Sequence, residues 1–541
     1  MAFVKNDRKR TEIRDTRSLF DYADDFALRV ATSCGRSGAC HECVVEILEG
    51  ATALSPRSGF EGFLQDPFRL ACQATVKDTG VDVAFAPLRR EPKILETSRP
   101  FEGDIDSMVT RSGEDVYLGE HLIDRYRGRI LGLALDLGTT TVVVDFVDLE
   151  TGKSLHVSSF ENPQRFGGSD VMHRISYDEG PHRGELWKAI SSSLNSEIEA
   201  AARRHDFSSK DIYEIVVSGN ATMRDLFFRL DVQPIGQKPY KSTTEKAYLE
   251  GERETTSVMS PANRLGIRIN PNGCVVGLPI IASHVGGDTS ADMIALKMLE
   301  GHETAMLVDV GTNTEVVVKQ GDRMVAASCP AGPAFEGGGI DYGMPGYEGA
   351  IETLRIEGDV FAFDTIGGLP AEGLCGSGLI DLLAELRRHD WMTPKGVFKD
   401  KLYQLTIEPD RPITFSRQDA SNLAQAKAAN TSGMFIVMRH LDVKPADVEC
   451  LYLAGGFANY VDVGNAIEIG FLPPIPEDRI IKVGNASVIG ARDALLSRER
   501  RLSAECLARN VEHLELETTP DFFEVFVEAC QFKPIDFDRY G

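Results

Sequence analysis

Leu131-Gly132-Leu133-Ala134-Leu135-Asp136-Leu137-Gly138-Thr139-Thr140-Thr141-Val142-Val143-Val144 joins an apolar run, a carboxylate, a turn of small hydroxylated residues and a second apolar run. The β-branched and aliphatic content on both sides predicts two strands, and Gly138 predicts the turn between them. Small residues there let backbone N–H groups approach anionic oxygens, and threonine hydroxyls add donors. An aspartate ending the first strand suits Mg²⁺ held through water, since that ion prefers oxygen ligands. The stretch has an echo 173 residues on, in Val308-Asp309-Val310-Gly311-Thr312-Asn313-Thr314, followed by Val316-Val317-Val318. Two related strand–turn–strand units imply two similar lobes. The period is too long for a solenoid.

A third glycine turn closes Leu451-Tyr452-Leu453-Ala454-Gly455-Gly456-Phe457-Ala458. Two D-x-G-T turns followed by A-G-G-F stand in the order phosphate, phosphate, adenosine. In that order the sequence resembles the acetate and sugar kinase, Hsp70 and actin (ASKHA) superfamily. Gly152-Lys153-Ser154 is not the end of a Walker A loop, because Val147 stands where the first glycine should be.

Near the start, Cys34, Cys40 and Cys43 lie in C-G-R-S-G-A-C-H-E-C, with Cys72 in L-A-C. C-x5-C-x2-C plus a distant cysteine matches the ligand pattern of a [2Fe–2S] ferredoxin, in which thiolates hold the iron. Gly35 and Gly38 allow the tight turns such a loop needs. A structural zinc site is the competing reading; the glycine-rich loop and the terminal L-A-C favour iron.

The 541 residues exceed one core and predict two to four domains. A net charge of −24 argues against nucleic acid and against an anionic membrane surface. No apolar leader opens the chain and no run of about 18 apolar residues occurs, so a cytoplasmic protein is expected. The six scattered cysteines, Cys274, Cys329, Cys375, Cys450, Cys506 and Cys530, read as core or loop residues.

The fold class expected is multidomain α/β and α+β. Residues 1–88 form a β-grasp, ferredoxin-like [2Fe–2S] domain, with a helix at Ser18–Ala23 and strands at Val44–Leu48 and Val81–Phe85. Residues 89–128, charged and carrying Pro92 and Pro100, read as a mobile linker with one or two short elements. Residues 129–300 make the first RNase H-like ASKHA lobe, and 301–541 the second with closing elements.

A ferredoxin, a linker and an ASKHA-type ATPase in one chain resemble the reductive activators of corrinoid proteins, the RACo-like family. The likeness includes Asn162-Pro163-Gln164 with Gly168-Ser169-Asp170-Val171, Gly219-Asn220-Ala221-Thr222-Met223, Ala331 to Gly337, and Leu374 to Asp381. His41 departs from it, standing where glycine is usual. A solvent-facing loop residue is the plain reading of His41, and a modulator of cluster potential the sharper one.

The resemblance implies a [2Fe–2S] cluster on Cys34, Cys40, Cys43 and Cys72, with ATP and Mg²⁺ as the other cofactors. It implies that Asp136 and Asp309 orient Mg²⁺ and the attacking water while Glu315 polarises that water. Gly138, Thr139, Thr140, Thr141, Gly311, Thr312 and Asn313 would cradle phosphates, and Gly455, Gly456 and Phe457 would contact adenosine. The activity implied is return of one electron to an inactive Co(II) corrinoid, restoring Co(I), coupled to ATP hydrolysis. The partner is a corrinoid protein or corrinoid-dependent methyltransferase; methionine synthase and a methyl-donor demethylase system both fit. An external low-potential donor must supply the electrons, and a homodimer is left open. The rivals are an ATP-driven donor to another low-potential enzyme and a non-enzymatic redox or nucleotide sensor.

Overall fold

The computed structural model describes residues 2–6, 9–13, 16–28, 30, 32, 34–88, 99–456 and 458–540. They fold as two compact units. The first holds the cysteine domain with Pro100–Gly277; the second holds Leu278–Ala494 and Arg498–Gly541.

The cysteine domain is a five-stranded sheet in the order Lys9–Glu12, Phe3–Asn6, Val83–Pro87, Val44–Glu49, Phe68–Leu70. Its first and last strands in sequence, Phe3–Asn6 and Val83–Pro87, run parallel, as a β-grasp requires. The helix Leu19–Asp25 starts at Ser18, whose hydroxyl accepts from the Asp21 amide while the Asp21 carboxylate accepts from the Ser18 amide. This reciprocal pairing satisfies two donors that a helix start otherwise leaves open.

The stretch expected to be a linker is largely structured where it is described. Val109–Ser112, Asp115–Leu118 and His121–Arg125 form a three-stranded antiparallel sheet. Each strand is only four or five residues and mostly exposed or half-buried, so no hydrophobic alternation marks it in the sequence. Residues 89–98 of that stretch lie outside the described residues.

Two six-stranded sheets carry the duplicated lobes. The first runs Ser154–Glu161, Thr141–Asp148, Leu131–Leu137, Ile212–Ser218, Cys274–Gly277, Val258–Pro261. The second, read from the same end, runs Glu512–His513, Arg323–Cys329, Thr314–Gln320, Thr304–Val310, Cys450–Ala454, Ile480–Gly484. In each, three antiparallel strands joined by short turns are followed by a parallel partner reached through a crossover, which is the RNase H-like order. The central strands are buried because helices cover them. Leu131, Leu133, Leu135, Val308 and Val316 are all within 1% of full burial, each contributing about 1.5–3 kcal/mol relative to exposure. Gly152 lies between Thr141–Asp148 and Ser154–Glu161 as a simple left-handed turn.

Candidate functional sites

In the cysteine loop Gly35, Arg36, Gly38 and His41 all have φ between 62° and 92°. The chain therefore turns repeatedly in the left-handed region. A Cβ on Gly38 would meet Phe60 and the Gln73 side chain at 3.0 Å, so glycine is needed there for space as well as for φ. The thiols converge in pairs. Cys43 donates to Cys72 across 3.3 Å, and Gln73 Nε2 donates to the same Cys72 sulfur at 3.4 Å. The Ser37 hydroxyl, followed by hydrogen bonds from Cys40, brings the Cys34 thiol down to about 5. The bond from Cys43 brings Cys72 to about 7 and pushes Cys43 itself up. Each pair also acts on the other electrostatically.

Among the described residues no three or more His, Cys, Asp or Glu side chains already form a metal cage. Four mutually interacting thiols, two of them biased toward thiolate, three on a left-handed loop and the fourth at Cys72, with an amide donor to sulfur, nevertheless fit an iron–sulfur cluster.

His41 differs from the plain reading. Its ring stacks on Phe63 at 4.3 Å, and Nδ1 lies 3.0 Å from Glu185 Oε2 at the start of the helix Glu185–His205. Its φ of 62° explains why a glycine suits this place.

Hairpin 1 is formed by Leu131–Leu137 and Thr141–Asp148, with Leu137 opposite Val142 and Asp136 opposite Val143. Its turn is held from behind through backbone carbonyls. Asn162 Nδ2 donates to Gly138 O at 2.8 Å, the Asn162 amide to Thr140 O at 2.7 Å, and Arg174 Nη2 to Thr139 O at 2.7 Å. Asn220 Nδ2 donates to the Thr139 hydroxyl at 3.0 Å. Arg174 is 1% exposed, and burial lowers its pKa to about 9. It places a cation directly behind the turn. The N-P-Q and G-N-A-T-M motifs thus supply the struts of hairpin 1, a role that their sequence alone did not reveal.

Hairpin 2 is formed by Thr304–Val310 and Thr314–Gln320, and its register differs from hairpin 1 by one residue. Val310 pairs with Thr314 and Asp309 with Glu315, so the turn has three residues where hairpin 1 has four. A glutamate rather than a valine therefore faces the strand-end aspartate. Burial, then the charges of Asp288 and Asp309, push Glu315 far above the usual carboxylate range. Asp309 keeps some exposure, yet the groups packed round its carboxyl raise it to about 6 against a hydrogen bond with Asp292.

Asp288 and Asp292 lie on the helix Gly287–Ala295 and were not foreseen. Within the G-G-D-T-S-A-D run only the paired carboxylates, four residues apart on one helix face, hinted at them. Thr312 donates to Glu336 at 2.7 Å, and Thr314 Oγ1 is buried without a hydrogen-bond partner. A buried carboxyl raised by the charges of two neighbouring carboxylates suits a hydrated divalent cation.

The strand Cys450–Ala454 runs parallel to Thr304–Val310, with Ala454 beside Asp309. Gly455 therefore leaves the sheet next to hairpin 2. Its φ is 108°, and a Cβ there would meet Val310 O at 2.2 Å, while Gly456 faces open space. Phe457 lies outside the described residues.

Three family models match in series: a 2Fe-2S iron-sulfur cluster binding domain over residues 3–77, the RACo middle region over 131–301, and the C-terminal domain of RACo, the ASKHA domain, over 303–541. The corrinoid activation enzyme RamQ of Eubacterium limosum is 28% identical over 95% of each chain. The [Co(II) methylated amine-specific corrinoid protein] reductase of Methanosarcina barkeri is 26% identical over 72% of this chain and 75% of its own. A solved reductive activator for a corrinoid, iron-sulfur protein is 29% identical, covers 99% of both chains and superposes with a TM-score of 0.71.

Proposed function

We propose that this chain, which matches RACo models over its middle and C-terminal regions and a 2Fe-2S binding domain model over residues 3–77, returns one electron to an inactive Co(II) corrinoid on a partner protein, in a cycle coupled to ATP hydrolysis. The observation that carries this reading is the presence in one chain of both halves of the device. A three-cysteine loop with a fourth cysteine bonded to it, two of the sulfurs thiolate-biased, occurs alongside a carboxylate-bearing hairpin that has a Gly-Gly turn in the adjoining strand.

A [2Fe–2S] cluster on Cys34, Cys40, Cys43 and Cys72 would supply a one-electron carrier. Gln73 Nε2, at 3.4 Å from the Cys72 sulfur, would lower the negative charge felt there. The hairpin 2 turn, Gly311 to Asn313, would cradle phosphate oxygens. Asp309, with Asp292 and Asp288, would hold Mg²⁺ through water and orient the attacking water, which Glu315 would polarise. Hairpin 1 offers a second phosphate cradle, made electropositive by Arg174. Gly455 and Gly456 form the floor for adenosine.

ATP is needed because of the potential. Plant-type [2Fe–2S] centres lie near about −400 mV, and the cobalt couple is expected to lie lower. A gap of about 120 mV is a hundredfold in equilibrium for one electron, roughly 2.7 kcal/mol. Differential binding of the two corrinoid oxidation states can cover that gap, and hydrolysis resets the complex. The acidic chain, at −24, suits a partner face that is basic or mixed in charge. The partner, the electron donor and a cytoplasmic location belong to this proposal. Among the described residues no helix is long and apolar enough to cross a membrane.

The test is ATP turnover with the cluster in place, with and without a Co(II) corrinoid protein. The proposal expects stimulation by the Co(II) form and little by the Co(I) form. Turnover indifferent to the corrinoid would favour a stand-alone ATPase or a sensor.

A further inference from the structure

The cysteine domain and hairpin 1 belong to the same compact unit and are gripped by one short segment, residues 162–177. Toward hairpin 1 the grip is on backbone. Asn162 holds Gly138 O and Thr140 O, and Arg174 holds Thr139 O. Toward the cysteine domain it is made by two other residues. Arg165 pairs with Glu46 at 2.5 Å, three residues past Cys43, and Tyr177 donates to Phe63 O at 2.6 Å.

The four residues alternate along the segment: hairpin, cysteine domain, hairpin, cysteine domain. Aromatic packing fills the space between them. Phe63 meets Phe166 edge-on at 5.8 Å, and Phe166 meets Tyr177 edge-on at 5.6 Å. Phe63 is the same ring that stacks on His41, inside the cysteine loop. Arg174 and Tyr177 sit on one helix of seven residues, Val171–Tyr177. It is too short to bend, so a shift at one end moves the other.

We infer that segment 162–177 couples phosphate occupancy of hairpin 1 to the docking of the cysteine domain, so that a nucleoside triphosphate held at the hairpin tightens the dock. This rests on the nucleotide reading of hairpin 1 given above. A bound anion fixes the Gly138–Thr141 turn. The carbonyls of that turn then present a single arrangement to Asn162 and Arg174, which lowers the ordering cost of the contacts made by Arg165 and Tyr177. By linkage the docked cysteine domain raises nucleotide affinity by the same factor. Arg165 and Tyr177 are therefore positioning residues. They govern where the electron carrier sits, touching neither nucleotide nor sulfur.

The experiment is amide hydrogen exchange on the full, cluster-loaded chain with and without Mg·AMPPNP, a non-hydrolysable ATP analogue. The inference expects slowed exchange in residues 131–148 and, at a distance, about fivefold or greater slowing in residues 59–70. In Tyr177→Phe and in Arg165→Gln the protection of 131–148 persists and that of 59–70 is lost. Protection of 131–148 with none at 59–70 in the unmodified chain would overturn the coupling and leave the nucleotide reading standing. Protection of 59–70 undiminished in both variants would overturn the assignment to this segment. No protection of 131–148 would remove the nucleotide reading of hairpin 1, and the coupling with it.

Discussion

Asp309 and Glu315 lie directly opposite each other across hairpin 2, whereas the corresponding aspartate of hairpin 1, Asp136, faces Val143. Cross-strand partners share a face of the sheet. One residue of register thus converts a duplicated turn into a carboxylate pair in one lobe and a carboxylate beside an aliphatic wall in the other. Asp288 and Asp292 add to the first of these. In the proposed function hairpin 2 is therefore the chemical lobe, and hairpin 1 the phosphate cradle backed by the charge of Arg174.

The pair makes stability depend on pH. Both carboxyls bind a proton more tightly folded than unfolded, so their contribution is present at low pH and lost as pH rises through about 6 and beyond. Asp309→Asn should stabilise the nucleotide-free protein at pH 7.5 by about 1–3 kcal/mol, less at pH 5. It should lower ATP turnover at least a hundredfold. Calorimetry at the two pH values with a turnover assay checks this. Added Mg·ATP should stabilise the unmodified chain and leave the variant nearly unmoved.

The two glycines after Ala454 should behave differently. Gly455→Ala places a Cβ 2.2 Å from Val310 O at a φ of 108°, costing on the order of 3 kcal/mol or more. Gly456→Val has open space around it and should leave the melting temperature of the nucleotide-free protein within a degree or two. It should nonetheless weaken ATP binding about tenfold, because it fills the proposed adenosine floor. Titration calorimetry beside thermal melts separates the two.

Removing the buried cation behind hairpin 1 should cost both stability and affinity. Arg174→Met leaves Thr139 O and Gly168 O without their donor, a loss of roughly 2–4 kcal/mol. Denaturant unfolding measures the first effect. Nucleotide binding well below the unfolding midpoint measures the second, expected to fall about tenfold.

Cluster assembly should depend on the loop cysteines alone. Cys43 is 1% exposed and bonded to Cys72, and Cys43→Ser should abolish the EPR signal of the reduced protein and bound iron. Cys274→Ser and Cys450→Ser, in core strands of the two lobes, should keep both. Zinc in place of iron in the unmodified protein would contradict the assignment.

The sequence made the lobes visible because each motif is local. An apolar run, a glycine turn and a second run specify a hairpin wherever they occur, and the A-G-G turn has its own signature. The cysteine spacing and the Ser18–Asp21 cap are local in the same way. What stayed hidden depends on contacts distant in sequence. Asp292 meets Asp309 only through tertiary packing, and Tyr177 reaches Phe63 across 114 residues. The register difference between the hairpins turns on one residue inside near-identical motifs. The strands at 109–125 are too short, and too few of their residues are buried, to show a pattern. His41, read as solvent-facing, is stacked and paired because Phe63 and Glu185 come to it from elsewhere in the chain.

The central claim is that ATP gates an electron from the cysteine domain onto a corrinoid. The direct measurement is the visible spectrum of a Co(II) corrinoid protein mixed with the reduced, cluster-loaded chain under a low-potential donor, with and without Mg·ATP. The account predicts that the Co(I) absorption band grows in over repeated turnovers only when Mg·ATP is present, and that Cys43→Ser and Asp309→Asn both abolish it. A Co(II) spectrum that stays unchanged with the cluster fully reduced and ATP being hydrolysed would contradict it.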